Sequence, residues 1–581
     1  MSAVIAIFFP ALVLVVIRNY FLGNKEKVNL KKMVFGYLAA VVVLNLFMWG
    51  ILYYVFENQG NLLEELNSYR GFAFKYLGMS LILAVVIPFF EKYINTRKIY
   101  EFKYWRIVIL VYAVVVFGLS FIRIFENNFW GDEGYTIKLA KMSISEMLAA
   151  TAGDVHPPLY YLIVQVFCRI FGFHHIVYHV VSLIPYVLIL ILCLTVIWKW
   201  FGKEAAAIMI TFSSFLTSAI GNTLDVRMYS WAELFVLLSF LCLYSILHDD
   251  HVKSYAAFGI ASLAAAYTHY YSLVSVAFFY VVLILVAVFK ERRRIKRVAL
   301  TCVLTVIGYM PWLFVLLRTF QRTAGDYWMT DIPTWKESLY YLFCSKHEAT
   351  LTIVFFMLLV FYLLRESGII KFSDKFAVRS EAAVAEVIWV LAGIFSILGT
   401  IGVGIGVSTV VRPMFLVKYL FPVSSAAWLI LGICVSKLKL KHPAALCLIA
   451  LVLLSGIPEY YSTYTSEKKA DEILAETLNT LSAQMQNGDE ILTDEDHIDW
   501  TISEIYYPET KHQMLSEATY GRLNKNVTYW AVLEYGMDDE IETAFANAGF
   551  SSRLVVDEGK FGTRTVQIYK VYADKRTDIL N

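Results

Sequence analysis

The chain has 581 residues, 59% of them hydrophobic and 17% charged, with a mean hydropathy of +0.60. Soluble domains are about half apolar and a quarter charged, so a soluble enzyme, a disordered chain and a disulfide scaffold are excluded. The net charge of +2 hides a split: residues 459–581 hold 23 acidic and 11 basic side chains, the rest 25 acidic and 39 basic. A basic membrane part and an acidic soluble tail are read separately, and neither suggests nucleic-acid binding. The seven cysteines sit in or beside apolar stretches with no CxxC or Cys/His metal spacing. They read as buried structural residues.

A helix needs about 20 apolar residues to cross a bilayer. In chain order the candidate spans are 3–21, 34–56, 71–90, 105–125, 176–198, 204–222, 228–247, 254–269, 271–289, 298–317, 350–365, 384–407, 417–436 and 442–457. The apolar stretch Ala3 to Ile17 has no basic segment before it and reads as a retained span, not a cleaved signal. Basic clusters follow the first span (Lys25 to Lys32), the third (Lys92 to Arg106) and the tenth segment's approach (Lys290 to Arg297), and Lys437 to Lys441 precede the last span. Placing them in the cytoplasm puts loop 126–156 and the acidic tail outside. The short run 157–173 opens with two prolines and breaks this alternation if it crosses. It is therefore expected to lie at the interface or re-enter from the outer side.

The fold class expected is a polytopic α-helical membrane protein of about fourteen spans with a small C-terminal extracytoplasmic α/β domain. Its divisions are 1–100 (accessory spans), 101–458 (catalytic module, with outer first loop 126–175) and 459–581 (soluble domain). Within the tail, Ala470 to Met485 has helical spacing. Glu490 to Leu492, Val527 to Leu533, Arg553 to Val556 and Thr565 to Val571 read as strands.

Four short segments at outer span ends carry polar residues that need a reason. Trp130-Gly131-Asp132-Glu133 places two adjacent carboxylates between aromatics. Ionised groups at a membrane surface are costly without a task or partner, and a carboxylate there suits a general base. A solvated loop with interfacial aromatics is the plainer alternative. Asp154-Val155-His156-Pro157-Pro158 fixes Asp154 and His156 ahead of an apolar helix, with Asp154 as an ordinary cap in the plainer view. Asp225-Val226-Arg227-Met228-Tyr229 is either a site or a structural ion pair at a helix end. Arg412 to Tyr419 holds two cations, Arg412 and Lys418, on the side where basic residues are disfavoured. An anionic ligand such as a phosphate is one reason, and snorkelling to headgroups is another.

In this order the segments resemble the GT-C glycosyltransferases. They are most similar to the bacterial branch of the dolichyl-phosphate-mannose protein mannosyltransferase superfamily, which includes the aminoarabinose lipid A transferases. The Trp-x-Asp-Glu and His-Pro-Pro-Leu pair is the specific part, and the likeness covers about residues 105–436. The resemblance implies transfer of a sugar from a polyprenyl-phosphate carrier at the outer leaflet to a lipid, protein or polysaccharide acceptor, usually with inversion. By motif match Asp132 would be the base, with Glu133 supporting it and Asp225 as a second acidic residue near the centre. His156 would shape the first loop, and Arg227 and Tyr229 would line the cavity. Arg412 and Lys418 would hold the carrier phosphate, and Tyr419 would belong to the substrate-binding residues. No cofactor is certain. A divalent metal is an option, since some relatives bind one at the carboxylates, and Asp132, Glu133, His156 and Asp225 could supply ligands. Lys418 and His179 stand where relatives often carry Arg, and Lys lacks the bidentate fork.

Two other classes compete. A transporter or flippase of lipid-linked sugars would place charges near the bilayer midplane and show repeated halves. Here the charges gather at span ends and no repeat is evident. A non-catalytic envelope assembly protein would have no need of an intact Asp132-Glu133 pair.

Overall fold

The computed structural model describes residues 104–325, 328–366, 381–438 and 441–574. The expected spans 3–21, 34–56 and 71–90 and the accessory division 1–100 lie outside them.

Among the described residues nine helices are long and apolar enough to cross a membrane: Trp105–Phe125, His175–Phe201, Tyr229–Asp249, Tyr270–Lys290, Arg292–Gly325, Glu348–Glu366, Glu381–Val410, Val417–Ser436 and Lys441–Gln484. Each coincides with an expected span. Two further expected spans form shorter helices. Segment 204–222 is split into Lys203–Phe215 and Thr217–Asn222 by Leu216, whose backbone is extended. Segment 254–269 becomes Val252–Thr268, which ends where His269 adopts φ −154° and ψ 136°. The chain is a multi-pass membrane protein. The run after the two prolines forms Leu159–Phe171, 13 residues, or about 20 Å, well short of the ~30 Å hydrocarbon core.

The tail differs from expectation at its entrance. The last span and the helix expected from Ala470 are one 44-residue helix, Lys441–Gln484, with Pro458 inside it. Beyond it lie strands β1 (Glu490–Thr493), β2 (Lys511–Met514), β3 (Tyr529–Leu533), β4 (Phe550–Phe561) and β5 (Arg564–Ala573). They form one sheet in the order β2-β1-β3-β5-β4, parallel at β2-β1-β3 and antiparallel at β3-β5-β4. The period of two sorts the strand residues onto two faces. Ile491, Trp530, Val532 and Ile568 pack with Leu474 and Leu481 of the long helix and with Ile498 and Ile502. Leu492, Tyr529, Ala531 and Leu533 pack with Phe545 on the other face.

The described chain divides into two compact units. One comprises Leu119–Ile184, Asn222–Met228 and Tyr460–Asn581, so the loops that follow the first described span belong with the tail. The other holds Pro185–Gly221 and Tyr229–Glu459, together with the residues before Leu119.

Candidate active site

The first unit holds five of the expected site residues, Asp132, Glu133, His156, Asp225 and Arg227. Helix Gly131–Lys141 begins at Trp130, whose backbone is extended, and carries Asp132 and Glu133 in its first turn. Carboxylates are favoured there by the free N–H groups and the helix dipole. Glu133 is buried. One oxygen accepts the Trp130 N–H at 3.0 Å, and the other accepts the Val226 N–H at 2.7 Å. It therefore caps its own helix and pins the 222–228 loop to it. That loop brings Asp225 against it: the two carboxyls share a hydrogen bond, and Asp225 accepts the Trp130 Nε1–H at 3.0 Å. Burial first, then the Asp225 charge, raises the Glu133 carboxyl well above its ordinary range. Two carboxyls in this contact hold one proton between them.

Asp132 is set differently. Its Oδ2 lies 3.4 Å from Arg227 Nη2, and Arg227 Nη1 donates to the Asp132 carbonyl at 3.1 Å. Arg227 is buried, while the Asp132 side chain keeps 24% of its exposure. One carboxylate is thus oriented and reachable, and its neighbour is buried against Asp225 with its titration pushed upward. This division suits a base backed by a structural acid pair. His156 is buried ahead of Leu159–Phe171. His179 stacks on Phe129 at 4.8 Å. Its ring nitrogens face Leu224 O at 3.1 Å and Glu126 O at 3.2 Å, so it ties together the two loops that carry the carboxylates.

The tail holds this loop on its other side. Asn128 exchanges two hydrogen bonds with the Gly562 backbone, at 2.8 and 2.7 Å. The Tyr506 hydroxyl donates to Asn127 O at 2.6 Å and accepts the Phe129 N–H at 3.1 Å. The short tail helix Asp496–Thr501 crosses Gly131–Lys141 at two glycines. A Cβ on Gly131 would stand 2.8 Å from His497 Cα, and one on Gly134 would stand 2.8 Å from Thr501 N. His497 Nδ1 lies 3.8 Å from Asp132 Oδ1. The Trp500 ring packs on Tyr135 at 4.9 Å.

In the second unit, Lys418 Nζ stands 5.5 Å from the centre of the Tyr229 ring. Tyr419 stacks on Tyr271 at 5.3 Å and lies 5.1 Å from His269, which in turn is 5.6 Å from Tyr229. His269 breaks the helix, and its Nδ1 accepts the Tyr271 N–H at 3.2 Å. Arg412 Nη1 donates to Gly325 O at 2.7 Å. The expected residues therefore form a carboxylate–arginine group in one unit and a lysine–aromatic group in the other. Among the described residues no three His, Cys, Asp or Glu side chains form a group that could hold a metal ion.

Sequence reasoning missed His497, Trp500, His269 and Tyr271. The Tyr267 to Tyr271 run was visible as a break between spans but signalled no chemistry. His497 and Trp500 lie in an acidic segment with no motif.

No family model matches the sequence, and no curated protein matches it. By structure the chain is similar to ArnT from Cupriavidus metallidurans in two states, apo and bound to undecaprenyl phosphate. Each has a TM-score of 0.53 and 15% identity, and the match covers 80% of this chain and 97–98% of ArnT. The class so defined is a multi-pass helical membrane fold with a small C-terminal sheet domain. The particular fold it is similar to is that of ArnT.

Proposed function

We propose that the protein is a membrane glycosyltransferase that moves a sugar from a polyprenyl-phosphate carrier to a hydroxyl of an envelope acceptor on the outer face of the membrane. The observation that carries this reading is the Asp132–Arg227 pair beside the proton-sharing Glu133–Asp225 pair, in a fold similar to that of a protein crystallised with undecaprenyl phosphate. The reaction breaks the bond between the anomeric carbon and the carrier phosphate oxygen. It forms a bond from that carbon to the acceptor oxygen, and the acceptor proton passes to Asp132. A cationic, oxocarbenium-like sugar makes the acceptor hydroxyl acidic as bonding begins, so a carboxylate is base enough. The leaving phosphate monoester needs cations rather than an acid. Lys418 and Arg412 take that role, with Tyr229 and Tyr419 lining the carrier headgroup, and Arg227 holds Asp132 in register. His156 stiffens the first loop.

The placement of basic loops supports an extracytoplasmic site and tail. The catalytic module is 101–458, with residues 1–100 accessory to it and 459–581 as a soluble appendage.

The test uses full-length protein in liposomes with a panel of undecaprenyl-phosphate hexoses and pentoses, and host envelope extract as acceptor. Wild type should release undecaprenyl phosphate with one donor. Asp132→Asn should slow release by about 100-fold or more, the usual contribution of a general base, and keep its melting temperature. Turnover unchanged by the mutation would remove Asp132 as base. A folded wild type inert to every donor would remove the transferase reading.

A further inference from the structure

The tail domain touches the candidate base. Of the side chains around Asp132, Arg227 occupies one carboxylate oxygen, at 3.4 Å from Oδ2, and belongs to the same loop system. The other oxygen, Oδ1, faces His497, which comes from a helix 365 positions further along the chain. The separation of 3.8 Å is too long for a hydrogen bond, yet one hydroxyl oxygen can stand within about 2.8 Å of both atoms. His497 keeps 45% of its side-chain exposure and Asp132 24%, so this gap opens to solvent.

The approach is built, not incidental. Gly131 and Gly134 lie where the tail helix crosses, and a Cβ at either would overlap His497 Cα or Thr501 N. The Trp500 ring lies 5.1 Å from His497 and 4.9 Å from Tyr135, which extends an aromatic wall from the gap along both helices. A polar pair next to an aromatic wall is how proteins hold a hydroxyl-bearing ring: the wall takes its apolar face and the pair takes its edge.

We propose that the tail helix Asp496–Thr501 completes the acceptor subsite. His497 Nδ1–H donates to the acceptor hydroxyl while Asp132 Oδ1 accepts its proton, and Trp500 with Tyr135 stacks against the acceptor. The acceptor class is a polyhydroxylated ring compound, either a sugar or a sugar-bearing lipid. This rests on the transferase reading above. The step balances as given there: the proton leaves the hydroxyl for Asp132 as the acceptor oxygen bonds to the anomeric carbon and the carrier phosphate departs. His497 orients the nucleophile and keeps its own proton throughout. A soluble domain on this chain then has a task at the site, since it supplies one wall of the acceptor pocket.

The experiment compares wild type, His497→Phe and His497→Gln as full-length protein in liposomes. The active undecaprenyl-phosphate sugar is the donor, and host envelope extract, titrated by mass, is the acceptor. Phe keeps a ring against Trp500 without a donor, and Gln keeps a donor without the ring. The expected result is a rise of about tenfold in the acceptor concentration for half-maximal rate with His497→Phe. His497→Gln should return within about threefold of wild type, and the donor KM should hold in both. Equal losses for donor and acceptor would mark a structural role and overturn the proposal, as would wild-type acceptor dependence in His497→Phe. Wild-type turnover alongside either of these leaves the transferase reading standing. A wild type that never releases carrier removes that reading and the acceptor subsite with it.

Discussion

Glu133 has three partners and two protonation demands. Its two oxygens accept the Trp130 and Val226 N–H groups, and its proton is shared with Asp225. Glutamine keeps the neutral charge and can still donate to Asp225, but its NH₂ cannot accept, so one of the two buried N–H groups loses its partner. We expect Glu133→Gln to cost about 1–2 kcal/mol at mildly acid pH, and Glu133→Ala, which strands both N–H groups and leaves a void, about 3–5 kcal/mol. The pH dependence has a definite sign. The folded carboxyl is raised above its unfolded value, so its contribution is fully present below the ordinary carboxylate range and is lost as pH rises through the raised value. The gap between wild type and Glu133→Gln should therefore narrow as pH rises. Thermal melts of the purified protein at a series of pH values read both effects, and a gap that widens with pH would contradict the shared proton. The Asp132-Glu133 dipeptide is conspicuous in the chain, but the opposite fates of its two members are not. They depend on Asp225 and Arg227, more than 90 positions away, which meet the pair only when the loop folds back.

At the scale of elements, the loop helix Gly131–Lys141 and the tail helix Asp496–Thr501 are joined through two glycines one turn apart. Neither glycine has a left-handed backbone, so each is there for closeness rather than conformation. Gly131→Ala and Gly134→Ala should each push the tail helix off the loop. The expected readout is faster protease cleavage in the 486–510 segment and a melting temperature lower by several degrees, as about 1–3 kcal/mol of overpacking implies. Gly521→Ala, where a Cβ meets nothing within 4 Å, is the matched control. If the Gly131 and Gly134 variants melt and digest like that control, the crossing is not a close contact. A second tie is electrostatic. Arg123, at the end of the first described span, grips Glu467 of the long helix, with Nε donating to Oε2 at 2.9 Å, and Glu126 joins through a hydrogen bond to Glu467. The elements differ in how well the sequence shows them. Apolar runs of 20 residues identify spans because the bilayer imposes both length and composition. The strands that became β1, β3, β4 and β5 show alternation or β-branched runs. The six-residue helix that carries His497 has only tertiary contacts to hold it, and no local pattern announces them.

At the largest scale Lys418 and Arg412 fall into one compact unit and the carboxylates with Arg227 into the other, and the charge split of the sequence follows much the same line. Lys418 rests 5.5 Å from the Tyr229 ring in the span-rich unit, while Asp132, Glu133, Asp225 and Arg227 belong to the unit that includes the acidic tail. Tyr229 follows Arg227 by two positions, so a single stretch of chain leads from one group to the other. Under the transferase reading this separation divides the work. On that reading the membrane unit would recognise the anionic carrier, and the other unit would handle the acceptor and its proton. Binding of undecaprenyl phosphate, which carries no sugar and undergoes no chemistry, isolates the first task. Lys418→Gln removes the charge but keeps a polar side chain against Tyr229. It should weaken that binding by about tenfold, or about 1.4 kcal/mol, in lipid nanodiscs at moderate salt. Raising the salt should shrink the wild-type advantage, because an ion pair near the surface is screened. Asp132→Asn should bind the carrier within about twofold of wild type, since the carboxylate acts on the acceptor rather than the phosphate. Equal weakening by both substitutions would place the phosphate at the carboxylates, and the division of labour would then be wrong. Carrier binding indifferent to Lys418 would return that lysine to an interfacial role beside the headgroups.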